Sequence, residues 1–275
     1  MAYWPSQCAK NSGPVLQALQ QGLQHHGIDL VENSMHCDAA VIWSVLWQGR
    51  MQANREVYHT YRSQNRPVIC IDVGALRRGV LWKIALNNIN ATAHYGHTVR
   101  LDSDRPRKLG LTLGSKQQGS AVLVALQNNR SLQLETIDQR TWLCDQIAAI
   151  RACTDRPIVI RPHPRDRFDA TDWPRHARIQ KPRPVPQTYD HYDIDWHYHA
   201  VVNCNSGVGI QAALAGCRLV THPTSLAHSV STEITELDQI CHRDRDQWLI
   251  EISHTEYTLE EIQQGLWLKR LDLID

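Results

Sequence analysis

The chain has no long apolar run. None of its segments approaches the roughly 18 residues that span a bilayer, so no membrane span is expected in these 275 residues. The start, Met1-Ala2-Tyr3-Trp4-Pro5, lacks the basic and apolar regions of a secretory leader, and a cytoplasmic location is expected. An excess of one charge is also missing: 29 basic residues nearly balance 28 acidic ones, for a formal net charge of +1. That excludes a strongly basic nucleic-acid footprint over the whole chain, though not a local patch. The eight cysteines form no Cys-x-x-Cys pair, and several lie in apolar runs such as Val68-Ile69-Cys70-Ile71. They read as reduced, buried thiols rather than a zinc site or a disulfide framework. Neither Gly-x-x-x-x-Gly-Lys nor Gly-x-Gly-x-x-Gly occurs, so ordinary NTPase and dinucleotide sites lack their phosphate loops.

What is present is a globular composition, 42% apolar and 21% charged, long enough for one large domain or two modest ones. Ser12-Gly13-Pro14 caps an amphipathic stretch to His26, with Val15, Leu16, Leu19 and Leu23 on one face. Ala39 to Leu46 has a buried-strand pattern, Asn54 to Gln64 is polar and helical, and Arg66 to Gly74 is a strand ending in a turn. This alternation predicts a parallel sheet with right-handed crossovers. It lapses from Thr98 to Gly119, a stretch rich in charge, glycine and serine that reads as a linker between domains 1–112 and 113–275. It then resumes, with strands at Ser120–Gln127, Ile158–Ile160, Val201-Val202 and Arg218–Thr221. Helices follow at Thr141–Cys153, at Val208–Ala215 closing on Gly216, and at Thr258–Leu273, the last free to pack back on the first domain. The fold class is α/β: two Rossmann-like open parallel-sheet domains facing a cleft.

Two segments carry the chemistry. Pro157 to Arg165 (Pro-Ile-Val-Ile-Arg-Pro-His-Pro-Arg) and Ala200 to Ile210 (Ala-Val-Val-Asn-Cys-Asn-Ser-Gly-Val-Gly-Ile) each run from a β-branched strand into a polar turn. In a parallel sheet such turns share one rim, where they would meet Gln127-Asn128-Asn129-Arg130-Ser131. A phosphate leaving group needs positive charge, backbone donors at a helix start, and a group that neutralises the departing oxygen. Arg130, Arg161 and Arg165 offer charge; Asn129, Asn205 and Ser206, with the amides of Gly207 and Val208, offer donors. His163 offers a hydrogen bond or a proton, its unperturbed pKa being about 6.5. Singly, each fragment also reads as something plainer, a solvated arginine turn or a good N-cap. Together they suggest a nucleotide-sugar site.

The strand leading into Arg161-Pro162-His163-Pro164, followed by Ala200-Val201-Val202 and by Asn205 to Gly216 (Asn-Ser-Gly-Val-Gly-Ile-Gln-Ala-Ala-Leu-Ala-Gly), resembles the donor-binding half of GT-B-fold glycosyltransferases over roughly residues 120–230. It is similar to bacterial capsule-polysaccharide transferases and to sialyltransferases with a His-Pro motif and a later Ser motif. The resemblance implies that His163 and Ser206 hold the phosphate and ribose of a nucleotide-sugar. It also implies that this donor is a substrate, that no cofactor is required, and that the enzyme works without a metal. Val41 to Trp47 and Asp72 to Leu76 look like uncharacterised proteins of marine bacteriophage type. That likeness adds a hydroxymethylated base of phage DNA, in a host cytoplasm, to a surface glycan as the acceptor.

On the acceptor side, Asp72 ends its strand before Val73-Gly74 and reads either as the base that takes the acceptor's proton or as a turn cap. Arg77, Arg78 and Trp82, with Lys83, suit an anionic glycan or a nucleic-acid backbone, or equally an amphipathic helix. Trp43 and Trp47 read as core, and Asp38 stands at the wrong end of its strand for a base. Asp102-Ser103-Asp104 and Asp193-Ile194-Asp195 match a metal-nucleotide triplet that chance supplies often, and His254-Thr255-Glu256 lacks the Pro-Cys-x-x-Cys of a zinc deaminase. His191, His197 and His199, among Tyr189, Tyr192, Trp196 and Tyr198, read as a helix packing beneath the Ser206 loop more than as a metal site. The leading function is a metal-independent glycosyltransferase. The alternatives are a non-catalytic nucleotide or phosphate binder of the same fold, and a nucleotide-sugar epimerase whose carboxylates would be Asp72 with Glu233 or Glu236.

Overall fold

The structure, a computed structural model, describes residues 1–96, 100–115, 119–166, 177–188, 191–238 and 244–274. Tyr189, Cys241, Thr98 and the linker residues Lys116 to Gln118 lie outside them. The chain begins with β1 (Ala2–Tyr3), α1 (Gly13–His25), β2 (Val31–Glu32), β3 (Ala40–Trp43), α2 (Asn54–Ser63), β4 (Val68–Val73), β5 (Trp82–Leu86) and α3 (Arg105–Lys108). It continues with β6 (Val122–Ala125), α4 (Gln139–Cys153), β7 (Ile158–Arg161), β8 (Arg178–Ile179), β9 (Ala200–Asn203), α5 (Gly207–Ala215) and β10 (Arg218–Thr221). It ends with α6 (Arg245–Ser253), β11 (Glu256–Tyr257), α7 (Leu259–Gln263) and α8 (Leu266–Arg270). Among the described residues no helix is long and apolar enough to cross a membrane.

Two compact units result. Residues 1–105, 130–133 and 250–275 form one, and residues 106–129 and 134–249 the other. In the first unit the sheet order is β11-β5-β4-β3-β1-β2. The four strands from β4 to β2 are parallel, whereas β5 pairs antiparallel with both β4 and β11. Trp82 therefore opens a strand and not a helix, because residues 74–81 are too short a link for a parallel crossover. β3 stops at Trp43, short of the Leu46 expected, where Ser44 takes a positive φ of 66°. In the second unit β10-β9-β6-β7-β8 are all parallel. Every residue of β6, β7 and β9 is buried, as in a sheet covered on both faces. Leu143 and Ile150 of α4 pack with Val122, Val124, Ile158, Ile160 and Val202. The two sheets are thus mostly parallel α/β sheets, the two-unit GT-B-like architecture.

Local chemistry sets the helix ends. Asp138 Oδ1 accepts the Thr141 N–H at 2.7 Å and starts α4. Gly216, at φ 87°, stops α5 in the left-handed conformation. The tail read as one helix is two: Thr258 and Glu261 form a capping box for α7, and Gly265 at φ 71° separates it from α8. Residues 191–199, read as a helix, contain none; Pro184 and Tyr192 instead make an isolated β-bridge. Among the described cysteines, Cys8, Cys70, Cys204 and Cys217 are buried, whereas Cys144 and Cys153 are exposed on α4 and depart from the buried-thiol reading.

Helix α1 presses its Gly22 directly onto the backbone of α7. A Cβ there would stand 2.4 Å from the carbonyl oxygen of Ile262 and 3.1 Å from the nitrogen of Gly265. Gly22→Ala should therefore destabilise the protein by about 1–3 kcal/mol, as overpacking against a backbone does. Gly13→Ala, where a Cβ meets nothing within 4 Å, should stay within about 0.5 kcal/mol. Urea midpoints of the two variants check this.

Candidate functional site

In the second unit Ala125 is paired with both Arg161 and Asn203, and Asn203 with Thr221, so β7, β6, β9 and β10 end level. Their loops leave from one rim. At its centre Asn203, fully buried, ties the strand ends to α5: its Nδ2 donates to the Ala125 carbonyl and to Ser206 Oγ, both at 2.9 Å. Its Oδ1 accepts the Ser206 N–H at 3.1 Å. Ser206 Oγ is thereby held by Asn203 and does not cap α5, whose first turn has no side-chain cap. Gln127, 4% exposed, accepts the Asn205 N–H on its Oε1 at 3.2 Å, while its buried Nε2 has no hydrogen-bond partner. Asn205 Nδ2 in turn donates to Thr224 Oγ1 at 2.7 Å.

His163 stands half-buried after β7. Its Nδ1 accepts the backbone N–H of Arg165 at 3.2 Å, with Asn128 Nδ2 at 3.5 Å from the same nitrogen. A backbone N–H can only donate, so the neutral ring carries its proton on Nε2. Arg161 behaves differently from the expectation of a free phosphate cation. It is 6% exposed, its Nη2 donates to the carbonyl of Asp193, and the same nitrogen lies 3.6 Å from Asp193 Oδ1. Burial lowers its pKa against the pull of Asp193, which offsets its charge. Arg165 and Asn129 are exposed, and the Asn129 N–H donates to Asp166 Oδ2 at 3.0 Å. Arg130 groups with the first unit, where its carbonyl accepts the Trp47 N–H at 2.7 Å. The rim thus gathers Asn128, Asn129, His163, Arg165, Asn205, Ser206 and Gly207, and sets Arg161 into its own ion pair.

The first unit holds a second cluster. Asp72, half-buried at the end of β4, accepts from Ser44 Oγ at 3.2 Å and from the Val73 N–H at 2.7 Å. Burial raises its pKa, opposed by the Val73 amide and by the charges of Lys83 and Arg78. Lys83 is paired with Asp72 across β4 and β5, and its Nζ lies 4.0 Å from Glu256 Oε1. Glu256, fully buried, accepts the Ala75 and Leu76 N–H groups at 2.6 and 3.0 Å. Burial raises the Glu256 pKa and lowers that of Lys83, each resisted by the other's charge. Arg78 lies in the β4–β5 link near Asp72, and Trp82 is paired with Val73 and packs on the core; Arg77 is exposed in that link. Trp43 and Trp47 are core residues, at 2% and 8% exposure. Asp38 is exposed before β3, the end of the parallel strands opposite Asp72.

Sequence reasoning passed over Ser44 and the buried roles of Gln127, Asn203, Lys83 and Glu256. Only for Asn203 was there a signal, a lone amide ending an apolar strand three residues before a candidate N-cap. Among the described residues no three His, Cys, Asp or Glu side chains form a metal-holding group. Asp102 Oδ1 is taken by the Asp104 N–H, and His254 Nε2 by the Asp102 N–H.

No family model and no curated protein matches the chain. Several solved structures resemble it in fold, among them two from one organism. The KpsC beta Kdo 2,4 transferase of Thermosulfurimonas dismutans matches with a TM-score of 0.50 and 12% identity, over 94% of this chain and 90% of that one. The KpsC beta Kdo 2,7 transferase of the same organism matches with a TM-score of 0.48 and 12% identity, over 97% and 98%.

The Asn203 network generates a direct test. Asn203→Ala removes the bonds that fix Ser206 and leaves the Ala125 carbonyl without this donor, and should cost about 1–3 kcal/mol of stability. Asn203→Asp keeps the acceptor for the Ser206 N–H and should lose less of it below the ordinary carboxylate range, where the side chain is protonated. Urea unfolding across that pH interval distinguishes the two.

Proposed function

We propose that this chain is a glycosyltransferase that moves a sugar from a nucleotide-sugar, bound by the second unit, to a hydroxyl of a glycan. The observation that carries the reading is the rim at the start of α5. First-turn amides without a side-chain cap and the Asn203-tethered Ser206 follow β9, and the Nε2–H of His163 follows β7, two strands along the same rim. Such a set suits a phosphate ester: the helix start attracts the anion, and fixed N–H groups meet its oxygens. The likeness in fold to a Kdo transferase supports sugar transfer as the reaction and favours a glycan over a DNA base as the acceptor.

In this reaction the acceptor oxygen forms a bond to the anomeric carbon as the bond from that carbon to the phosphate oxygen breaks. The acceptor's proton goes to Asp72, whose raised proton affinity fits a base. The departing phosphate oxygen takes a hydrogen bond, or the proton, from His163 Nε2. Arg165 adds an exposed cation beside it, whereas Arg161 positions the loop through Asp193. Arg77, Arg78 and Trp82 are assigned to the acceptor. The step uses only these side chains and amides, with no metal.

His163→Ala should lower turnover with a nucleotide-sugar by roughly 100-fold or more, the range typical of a lost general acid, while leaving the thermal midpoint unchanged. Equal turnover in that variant sinks the reading. The base assignment makes a pH prediction with a definite sign. Asp72 is active when deprotonated, and burial raises its pKa, so kcat/KM should fall as pH drops through a value above the ordinary carboxylate range. In Asp72→Asn that acidic limb should vanish along with most of the activity.

A further inference from the structure

We infer that a second histidine, His222, binds the phosphate of the donor from the β10 side of α5, an inference that rests on the donor reading above. The sequence repeats one pattern after two strands: β7 runs into Pro162-His163-Pro164-Arg165, and β10 into Thr221-His222-Pro223-Thr224. The structure builds both turns alike. Nδ1 of each histidine accepts the backbone N–H two residues later, from Arg165 at 3.2 Å and from Thr224 at 3.3 Å. His222 Nδ1 has a further partner, Thr224 Oγ1 at 2.8 Å, and that hydroxyl accepts from Asn205 Nδ2 at 2.7 Å. The chain of donors therefore runs from Asn205 through Thr224 to His222 Nδ1, and the neutral ring keeps its proton on Nε2.

Placement favours His222 over His163 as the phosphate's immediate neighbour. The His222 N–H donates to the carbonyl of Cys204 at 3.0 Å, which extends the β9–β10 ladder to within two residues of Ser206. β10 lies directly beside β9, whereas β7 lies beyond β6. At about 4.8 Å per strand, His222 leaves the sheet about 5 Å from the strand that delivers α5, and His163 about 10 Å. The first turn of α5 sits close on both strand ends: a Cβ on Gly209 would come within 3.0 Å of Asn203 Oδ1 and 3.6 Å of Thr221 Cγ2.

A second observation points to a ligand at this place. Gln127, nine-tenths buried and more, holds the Asn205 N–H through Oε1 and leaves Nε2 as a buried donor without a partner. Such a donor is costly unless something supplies an acceptor. A phosphate or nucleotide oxygen at the start of α5, beside Asn205, would do so. The half-buried His222 ring has its pKa lowered by burial and by His228, which suits a neutral N–H donor. His163 then attends the departing oxygen, and His222 the oxygens that stay on the nucleotide.

The test uses the full chain with inorganic pyrophosphate, CMP and UDP as probes, and cytidine and uridine as controls without phosphate. Long-range proton–nitrogen NMR of the imidazoles should show His222 protonated on Nε2, with that signal shifting as the phosphorylated probes are added and not with the nucleosides. Calorimetry should show His222→Ala weakening the tighter-bound nucleotide at least tenfold, with a smaller loss in Thr224→Ala. If wild type binds a nucleotide but the His222 signal stays still and His222→Ala binds equally, this inference is overturned and the donor reading stands. If wild type binds none of the phosphorylated probes, nor a nucleotide-sugar, both fall. Should His222→Ala not fold, the wild-type NMR titration alone decides.

Discussion

Four short parallel strands that end level are what the second unit depends on. Arg161, Ala125, Asn203 and Thr221 are successive cross-strand partners, and each closes a strand of four residues. Shared direction and level ends together bring every following loop to one edge. The register is enforced by burial: a slip of one residue would exchange the two faces of a strand and turn the Val122, Val124, Ile158 and Ile160 side chains away from α4. It would also carry the Asn203 amide off the Ala125 carbonyl, and with it the tether on Ser206. Packing of apolar side chains in the sheet thus fixes the position of polar atoms at its edge to within hydrogen-bonding tolerance.

The first unit poses the opposite problem, since its ionisable groups are themselves buried. Glu256 reaches back from the C-terminal segment to the amides of Ala75 and Leu76, and Lys83 stands between it and Asp72. One cation facing two carboxylates is a balanced arrangement only if one carboxylate is largely satisfied by neutral donors. The two amides on Glu256 do that. Gly74 makes the close approach feasible, because a Cβ there would overlap Glu256 Oε2 at 2.4 Å. The proton affinity of Asp72 is therefore governed in part by how Lys83 divides its charge, and so by a residue more than 180 positions away in the chain.

How much of this was legible depended on range. Four strands of the second sheet were readable because each is a compact apolar run closed by a polar turn, and α4, α5 and Gly216 carry local start and stop signals; β8, only Arg178-Ile179, has no such run. β5 was not readable: Trp82 to Leu86 lies beside arginines that fit a helix equally well, and only pairing with β4 and β11 settles its conformation. The break at Gly265 was visible as a residue but not as a left-handed turn, since a glycine within a helical pattern is either tolerated there or ends the helix. In the site, residue types were legible and charges were not. Arg161 reads as a free cation until Asp193, from a different loop, is seen to hold it. Gln127 carries no distinctive sequence mark because its value comes from burial.

The loss of Arg161 as a free cation changes the physics of the proposed phosphate site. What remains around the start of α5 is a set of neutral donors held in place: helix amides, the Gln127 carboxamide and imidazole N–H groups whose far nitrogens are locked by backbone amides. Fixed dipoles of this kind need no reorganisation as charge develops on a departing phosphate, so their stabilisation is available in the transition state at full strength. A buried arginine with no carboxylate partner would also bind the anion strongly once the bond has broken, and would slow its release. Pairing Arg161 with Asp193 removes that competition while keeping the arginine's guanidinium as a strut for the loop after β8. The exposed Arg165 then supplies the remaining positive charge from a place where solvent screens it. On this argument Arg161 and Arg165 serve different ends, one structural and one electrostatic, and the proposed chemistry rests on the histidine between them.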